Sequence, residues 1–129
     1  MTDFQRPISS QEETTLHIAV AANQEDFVQN LVNRLSRENL TAQNIAGNTA
    51  LTCAAATGNV NIAKVMLKKN SNLPNIGSEV KPLFMAASLG HSEMVQHLYP
   101  MTIIVSLSDQ ADLFINCVRK DIYGKHKLL

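Results

Sequence analysis

One pattern occurs three times in the chain, and this repetition constrains the fold more than any other feature. The copies read TTLHIAVAANQEDFVQNLV at residues 14–32, TALTCAAATGNVNIAKVML at 49–67 and KPLFMAASLGHSEMVQHLY at 81–99. A unit of this size cannot bury its apolar face alone, so repeats of such a period stack side by side and share one core. The sequence therefore predicts an all-α solenoid of stacked helix-turn-helix units, an architecture that favours a binding surface over a catalytic pocket.

Composition agrees with a single domain that has a thin helical core. The 129 residues are 45% apolar but only 5% aromatic, and the alanines cluster in the repeated segments. The formal net charge is zero, because a small acidic excess in the first 60 residues balances a small basic excess in the remainder. Neither part is basic enough to follow a phosphate backbone, so no nucleic acid partner is expected.

Cysteine usage and the N-terminus indicate an intracellular, cytoplasmic protein. Cys53 and Cys117 lie far apart in apolar helical context, which is typical of small hydrophobic side chains in a reducing compartment. The N-terminal residues lack the apolar segment of a secretory signal. No apolar stretch reaches the ~20 residues that a membrane-spanning helix requires, so no membrane span is expected in this chain.

Helical periodicity divides each copy into two helices. The apolar stripe of the second helix in the first copy combines Phe27, Val28, Leu31, Val32 and Leu35. The predicted helix pairs are 14–22 with 24–35, 51–57 with 60–69, and 82–89 with 93–99. The predicted divisions are a flexible leader at 1–12, repeats at about 13–47, 48–79 and 80–108, and an incomplete repeat at 109–129.

The fourth unit restarts the pattern at Asp109 without a complete second helix. We expect its apolar residues to be poorly covered by neighbouring elements. These residues are Leu113, Phe114, Ile115 and Ile122. Self-association through this uncapped C-terminal end, or fraying from about residue 109 onward, is therefore expected.

Local motifs in the copies identify a family resemblance. TTLHIA and KPLFMA resemble the TPLHxA signature of the ankyrin repeat, which implies a turn followed by two antiparallel helices. The resemblance covers residues 13–99 and, more weakly, 109–123. The segments at 54–63 and 86–95 also agree, since both contain small residues, a helix stop and a new helix start in the family's order.

Several residues have predicted structural roles. Gly58 and Gly90 fall at the end of a first helix, where a left-handed conformation closes the turn, and Asn23 occupies this place in the first unit. The resemblance implies that His17 hydrogen-bonds between neighbouring turns and that His91 is also structural. The histidines and cysteines lack metal-binding spacing, and the chain has no phosphate loop or nucleophile motif. We therefore expect no catalytic residue, no metal and no cofactor, and no enzyme activity.

The resemblance also implies a protein partner, which would contact the turns between units and the concave face lined by the first helices. Candidate contacts are Asn44, Ala46 and Asn48 in the first connection, Ser78, Glu79 and Lys81 in the second, and Ala22, Thr57, Ser88 and Leu89 on the first helices. Each of these residues is equally compatible with ordinary solvent-exposed surface.

Longer sequence segments of the second and third copies resemble a narrower group of proteins. GNTALTCAAATGNVNIAKVMLKKN and KPLFMAASLGHSEMVQHLYP are similar to the N-terminal ankyrin array of plant proteins with a C-terminal PGG-type transmembrane region. This resemblance implies a non-enzymatic interaction module in plant stress or defence signalling. The alternative is a cytosolic fragment, or a competing short form, of a membrane-anchored ankyrin signalling protein.

Overall fold

The computed structural model describes residues 10–76, 80–104 and 107–119, and in these ranges it contains α-helices and short 3₁₀ turns but no strand. The helices of the described residues are α1 Ser10–Ala21, α2 Glu25–Arg34, α3 Ala50–Thr57, α4 Val60–Lys69, α5 Pro82–Leu89, α6 Ser92–Leu98 and α7 Leu107–Arg119. The 3₁₀ turns are Glu38–Thr41, Leu73–Asn75 and Tyr99–Met101.

The helices form two layers. The inner layer contains α1, α3, α5 and α7, which pack against one another in that order. The outer layer contains α2, α4 and α6, and each of these helices also packs against the inner helix that precedes it in the chain. The predicted all-α repeat solenoid is therefore confirmed.

Equivalent residues of successive units form the core. Leu16, Leu51, Leu83 and Leu113 occupy matching places on the inner helices and are at most 2% exposed. Small side chains let the inner helices approach closely, since Ala54 and Ala86 are completely buried. The outer helices contribute a second set of buried residues, which includes Val28, Val32, Ile62, Met66, Met94 and Leu98.

Local signals set the helix ends. The Thr49 hydroxyl accepts a hydrogen bond from the Thr52 backbone N–H, and the Asn59 side chain accepts one from the Ile62 N–H. Pro82 begins α5, where its missing N–H costs no hydrogen bond. Lys69 stabilises the end of α2, because its ammonium group donates to the Val32 carbonyl oxygen at 2.8 Å.

Two helix starts differ from the predicted boundaries. Helix α1 begins at Ser10, so the predicted leader at 1–12 overlaps its first turn. Helix α7 begins at Leu107 rather than Asp109, inside the range assigned to the third repeat. Asp109 is an acidic residue of its first turn.

The expectation that Leu113 is poorly covered is wrong. Its side chain is 2% exposed because α7 packs against α5 and continues the inner layer. Phe114 and Ile115, in contrast, are 43% and 49% exposed. Ile122 lies outside the described residues.

Candidate interaction surface

The connection between the first and second units forms a closed loop, which we call the first finger (residues 42–48). The Asn44 backbone N–H donates to the Asn48 carbonyl oxygen at 2.9 Å, and the Gly47 N–H donates to the Asn44 carbonyl oxygen at 2.9 Å. Gly47 has φ +82°, a left-handed conformation that glycine adopts without steric cost. The finger is therefore a tight turn with residues 45 and 46 at its tip.

The side chain of Asn44 holds this turn in shape. Its Oδ1 atom accepts hydrogen bonds from the backbone N–H groups of Ala46 at 3.0 Å and Asn48 at 3.1 Å. Asn residues commonly close turns by such contacts to their own backbone. Of the candidate contacts predicted on this connection, Ala46 is exposed at the tip, whereas Asn44 and Asn48 are partly buried.

A histidine of the preceding unit anchors the base of the first finger. The His17 Nε2–H donates to the Asn48 carbonyl oxygen at 2.8 Å, and the imidazole is only 6% exposed. The same carbonyl oxygen also accepts from Asn44 N–H. His17 therefore joins α1 to the connection that follows its own unit.

The segment after α6, which we call the third connection (residues 99–104), is also anchored to the preceding unit, here by the side chain of Asn75. The Asn75 Oδ1 atom accepts from the Ile103 N–H at 2.7 Å, while its Nδ2 group donates to the Met101 carbonyl oxygen at 3.0 Å. The predicted contact residue Lys81 donates from Nζ to the Ile103 carbonyl oxygen at 2.8 Å. The predicted contacts Ser78 and Glu79 lie outside the described residues.

The other predicted contacts occupy a separate place, at the C-terminal ends of the inner helices. Ala22, Ser88 and Leu89 are exposed there, and Thr57 is partly buried with its hydroxyl donating to the Ala54 carbonyl oxygen. An inner helix of eight residues, such as α3, is about 12 Å long. The fold thus separates these residues from the connections by the length of a helix.

Tight turns follow the inner helices at this end. Gly58 and Gly90 have φ values of +80° and +81°, and Asn23 has φ +59° in the equivalent place. The His91 Nε2–H donates to the Ala56 carbonyl oxygen at 2.8 Å, which places the imidazole directly over the turn of the preceding unit. A Cβ atom on Gly58 would lie 2.6 Å from His91 Nδ1, so this turn has no space for a side chain.

The contacts predicted from the sequence in the connections are polar or small, and they do not include the exposed aliphatic residues found there. Ile45 at the tip of the first finger is 108% exposed, Ile103 in the third connection is 60% exposed, and Val80 in the second is 38% exposed. Ile45 could have been found from its place directly after Asn44 in an Asn-x-x-Gly turn, which directs the intervening side chains outward.

Groups with catalytic or metal-binding chemistry are not brought together in the part of the chain that the structure describes. No group of three or more His, Cys, Asp or Glu residues in that part could hold a metal ion. Cys53 is a free thiol on α3, and burial raises its pKa, which disfavours the nucleophilic thiolate. Among the described helices, none combines the length and apolar character needed to cross a membrane.

Comparison with known families agrees with this geometry. The family model for ankyrin repeats (3 copies) matches residues 16–109, which is well over half of the chain. The chain therefore belongs to the ankyrin repeat family. Members of this family are typically non-enzymatic modules for protein–protein interaction. A comparison with curated proteins found no match.

Proposed function

We propose that this protein binds a protein partner through its connections, with Ile45 at the tip of the first finger as the main apolar contact. The observation that carries the proposal is the full exposure of a large aliphatic side chain at the end of a hydrogen-bonded turn. When a partner covers an apolar side chain that was exposed to water, the free energy of the system falls, which favours binding.

The rigidity of the first finger supports this role. Asn44 closes the turn, and His17 fixes its base to α1, so the tip loses little conformational freedom on binding. Preorganisation of this kind increases affinity because less ordering free energy is spent during association. Ala46 beside Ile45 is small and exposed, which leaves the isoleucine accessible to a partner.

Other residues extend the proposed surface in two directions. Val80 and Ile103 are exposed in the connections and continue it beside Lys81, and we propose Ser78 and Glu79 as further contacts. Thr57, Ser88 and Leu89 would contact a partner large enough to reach along the inner helices. Asn44 and Asn48 contribute mainly by maintaining the shape of the finger.

Replacement of Ile45 by serine is expected to weaken partner binding by about tenfold or more, since central apolar contacts dominate interface energetics. Partners would first be captured from cell extract with the immobilised wild-type protein and identified by quantitative mass spectrometry. Affinities of the purified partner would then be measured by calorimetry for wild type, Ile45→Ser, Asn44→Ala and Phe27→Ser.

Asn44→Ala and Phe27→Ser are the two comparisons. They distinguish loss of the Ile45 contact from loss of the shape of the finger and from a general loss of exposed apolar surface. Asn44→Ala retains Ile45 but removes the side chain that closes the turn, so an intermediate loss of affinity is expected. Phe27→Ser is the matched control, because Phe27 is 50% exposed on α2, away from the connections. Equal affinities of wild type and Ile45→Ser for every captured partner would contradict the proposed finger contact.

A second proposal concerns self-association through α7. One side of α7 packs against α5. Ile115 and Leu107 on this helix are 49% and 84% exposed. We expect the mass measured by light scattering to rise with protein concentration. Ile115→Ser should reduce that rise, and a constant monomer mass at all concentrations would contradict self-association.

The cellular context proposed for the module is plant stress or defence signalling in the cytoplasm. The resemblance of the second and third units to plant ankyrin-PGG arrays supports this context. The alternative is a cytosolic portion, or a competing short form, of a membrane-anchored protein. The transcript sequence distinguishes the two, because the alternative requires an encoded transmembrane region downstream of these repeats in at least one form.

A further inference from the structure

A groove of about 670 Å³ lies on the outer layer of helices, on surface provided by α2, α4 and α6 and the turn that follows α6. It is separate from the connections, and none of the predicted contact residues lines it. Its lining includes Gln29, Asn33, Lys64, Val65, Lys68 and Met101.

The chemistry of the lining is cationic and apolar. Three lysines and one imidazole face the groove with two carboxamides, and the lining contains no carboxylate. The Gln29 Nε2 group donates to Asn33 Oδ1 at 3.2 Å, which leaves the Asn33 amide group as a further donor. Val65 and Met101 add partly buried apolar surface between the polar groups.

Helix stabilisation accounts for the positions of Lys69 and Lys68 but not for that of Lys64. Lys69 donates to the Val32 and Asn33 carbonyl oxygens, so it caps the C-terminal end of α2. Lys68 lies in the last turn of α4, where the helix dipole favours a cation. Lys64 lies in the middle of α4, and an exposed like charge four residues from Lys68 is mildly unfavourable in an isolated helix.

We propose that this groove binds an acidic peptide segment of a partner protein. Carboxylates of the peptide would pair with Lys64 and Lys68, and its apolar side chains would contact Val65 and Met101. The volume lies within the range of about 300–1,000 Å³ that is common for ligand sites. Because the lining comes from three successive units, the groove suits an extended ligand better than a small ion.

Other anionic ligands fit the lining less well. Bases of a nucleic acid stack on aromatic side chains, and the lining has no Phe, Tyr or Trp. A membrane surface is contacted by protruding apolar side chains, whereas Val65 and Met101 line a depression. Inorganic phosphate has no apolar group, so it would leave the apolar surface beside the lysines uncovered.

The proposal is tested by panning a random nonapeptide display library on the purified full chain. We expect enriched peptides to combine Asp or Glu with apolar residues. The affinity of the most enriched peptide, measured by fluorescence anisotropy, should fall about tenfold in Lys64→Gln/Lys68→Gln, or about 1.4 kcal/mol. Lys64→Arg/Lys68→Arg, which retains both charges, should bind nearly as wild type.

Matched controls test whether the peptide binds in the groove and distinguish this binding from partner binding at the first finger. Arg37→Gln removes an exposed cation outside the lining, so its effect should be small. Ile45→Ser should bind the peptide normally even where it loses the finger partner, so the two proposals fail separately. Melting temperatures measured by circular dichroism identify any variant whose binding loss reflects unfolding.

Four outcomes would overturn the proposal. Enrichment of neutral or basic peptides, or equal binding by wild type and Lys64→Gln/Lys68→Gln, would exclude an acidic peptide in this groove. Lysine-dependent sedimentation with phosphatidylserine vesicles, without peptide enrichment, would assign the groove to a membrane surface instead. Displacement of the peptide by inorganic phosphate, under conditions where chloride at the same ionic strength has no effect, would assign it to a phosphate ligand.

Discussion

Replacement of Gly58 by alanine is expected to lower the free energy of unfolding by about 3 kcal/mol. Two costs combine. The backbone at φ +80° disfavours any residue with a Cβ atom by about 1–2 kcal/mol. The new methyl group would also lie 2.6 Å from His91 Nδ1 and displace the imidazole from the Ala56 carbonyl oxygen. Gly58→Val should be destabilised further, because a β-branched side chain needs more space.

A double-mutant cycle separates the two costs. His91→Ala removes the imidazole that the new methyl group would meet, so Gly58→Ala in that background should cost only the backbone term of about 1–2 kcal/mol. Urea denaturation followed by far-UV circular dichroism provides the four free energies. Equal costs of Gly58→Ala in both backgrounds would show that His91 does not restrict the turn. No cost in either background would show that the turn is not left-handed.

The helix bounds that could be predicted most accurately carry local signals at one or both ends. The predicted ranges 60–69 and 82–89 coincide with α4 and α5. Gly58 and Asn59 mark the start of α4, and Pro82 and Gly90 bracket α5, so local conformational preferences fix these ends without reference to the rest of the fold. The start of α1 carries less local information, and the predicted start was four residues late.

The direction in which a side chain points from a helix is harder to predict than the presence of the helix. The helical spacing predicts both Phe27 and Val28 in the apolar stripe of α2, but successive residues of a helix point about 100° apart. Val28 is completely buried and Phe27 is 50% exposed. Which of two adjacent apolar residues faces the core depends on the neighbouring unit, and the sequence of α2 alone does not contain that information.

The proposed surfaces depend on tertiary arrangement in the same way. Ile45 becomes prominent because Asn44 and Gly47 fold the first finger beneath it. The groove on the outer layer combines residues such as Gln29, Lys64 and His97, which lie more than 30 residues apart in sequence. Stacking of the units brings these residues together, so periodicity predicted the stack without predicting the groove.

The second large effect is expected at Leu113. Leu113→Ala should lower the free energy of unfolding by about 2–4 kcal/mol, because it removes a side chain that is 2% exposed where α7 packs against α5. Urea denaturation measures this change. Ile115→Ala is the matched control, since Ile115 is 49% exposed on the same helix and its truncation should change stability by at most about 0.5 kcal/mol.

Hydrogen exchange distinguishes a structural α7 from one that is only loosely attached. If α7 covers α5, Leu113→Ala should accelerate amide exchange in α5 as well as in α7, because loss of the covering helix exposes the inner layer. Acceleration confined to α7, together with an unchanged free energy of unfolding, would show that the first three units are stable without it. In that case the burial of Leu113 contributes little to the stability of the stack.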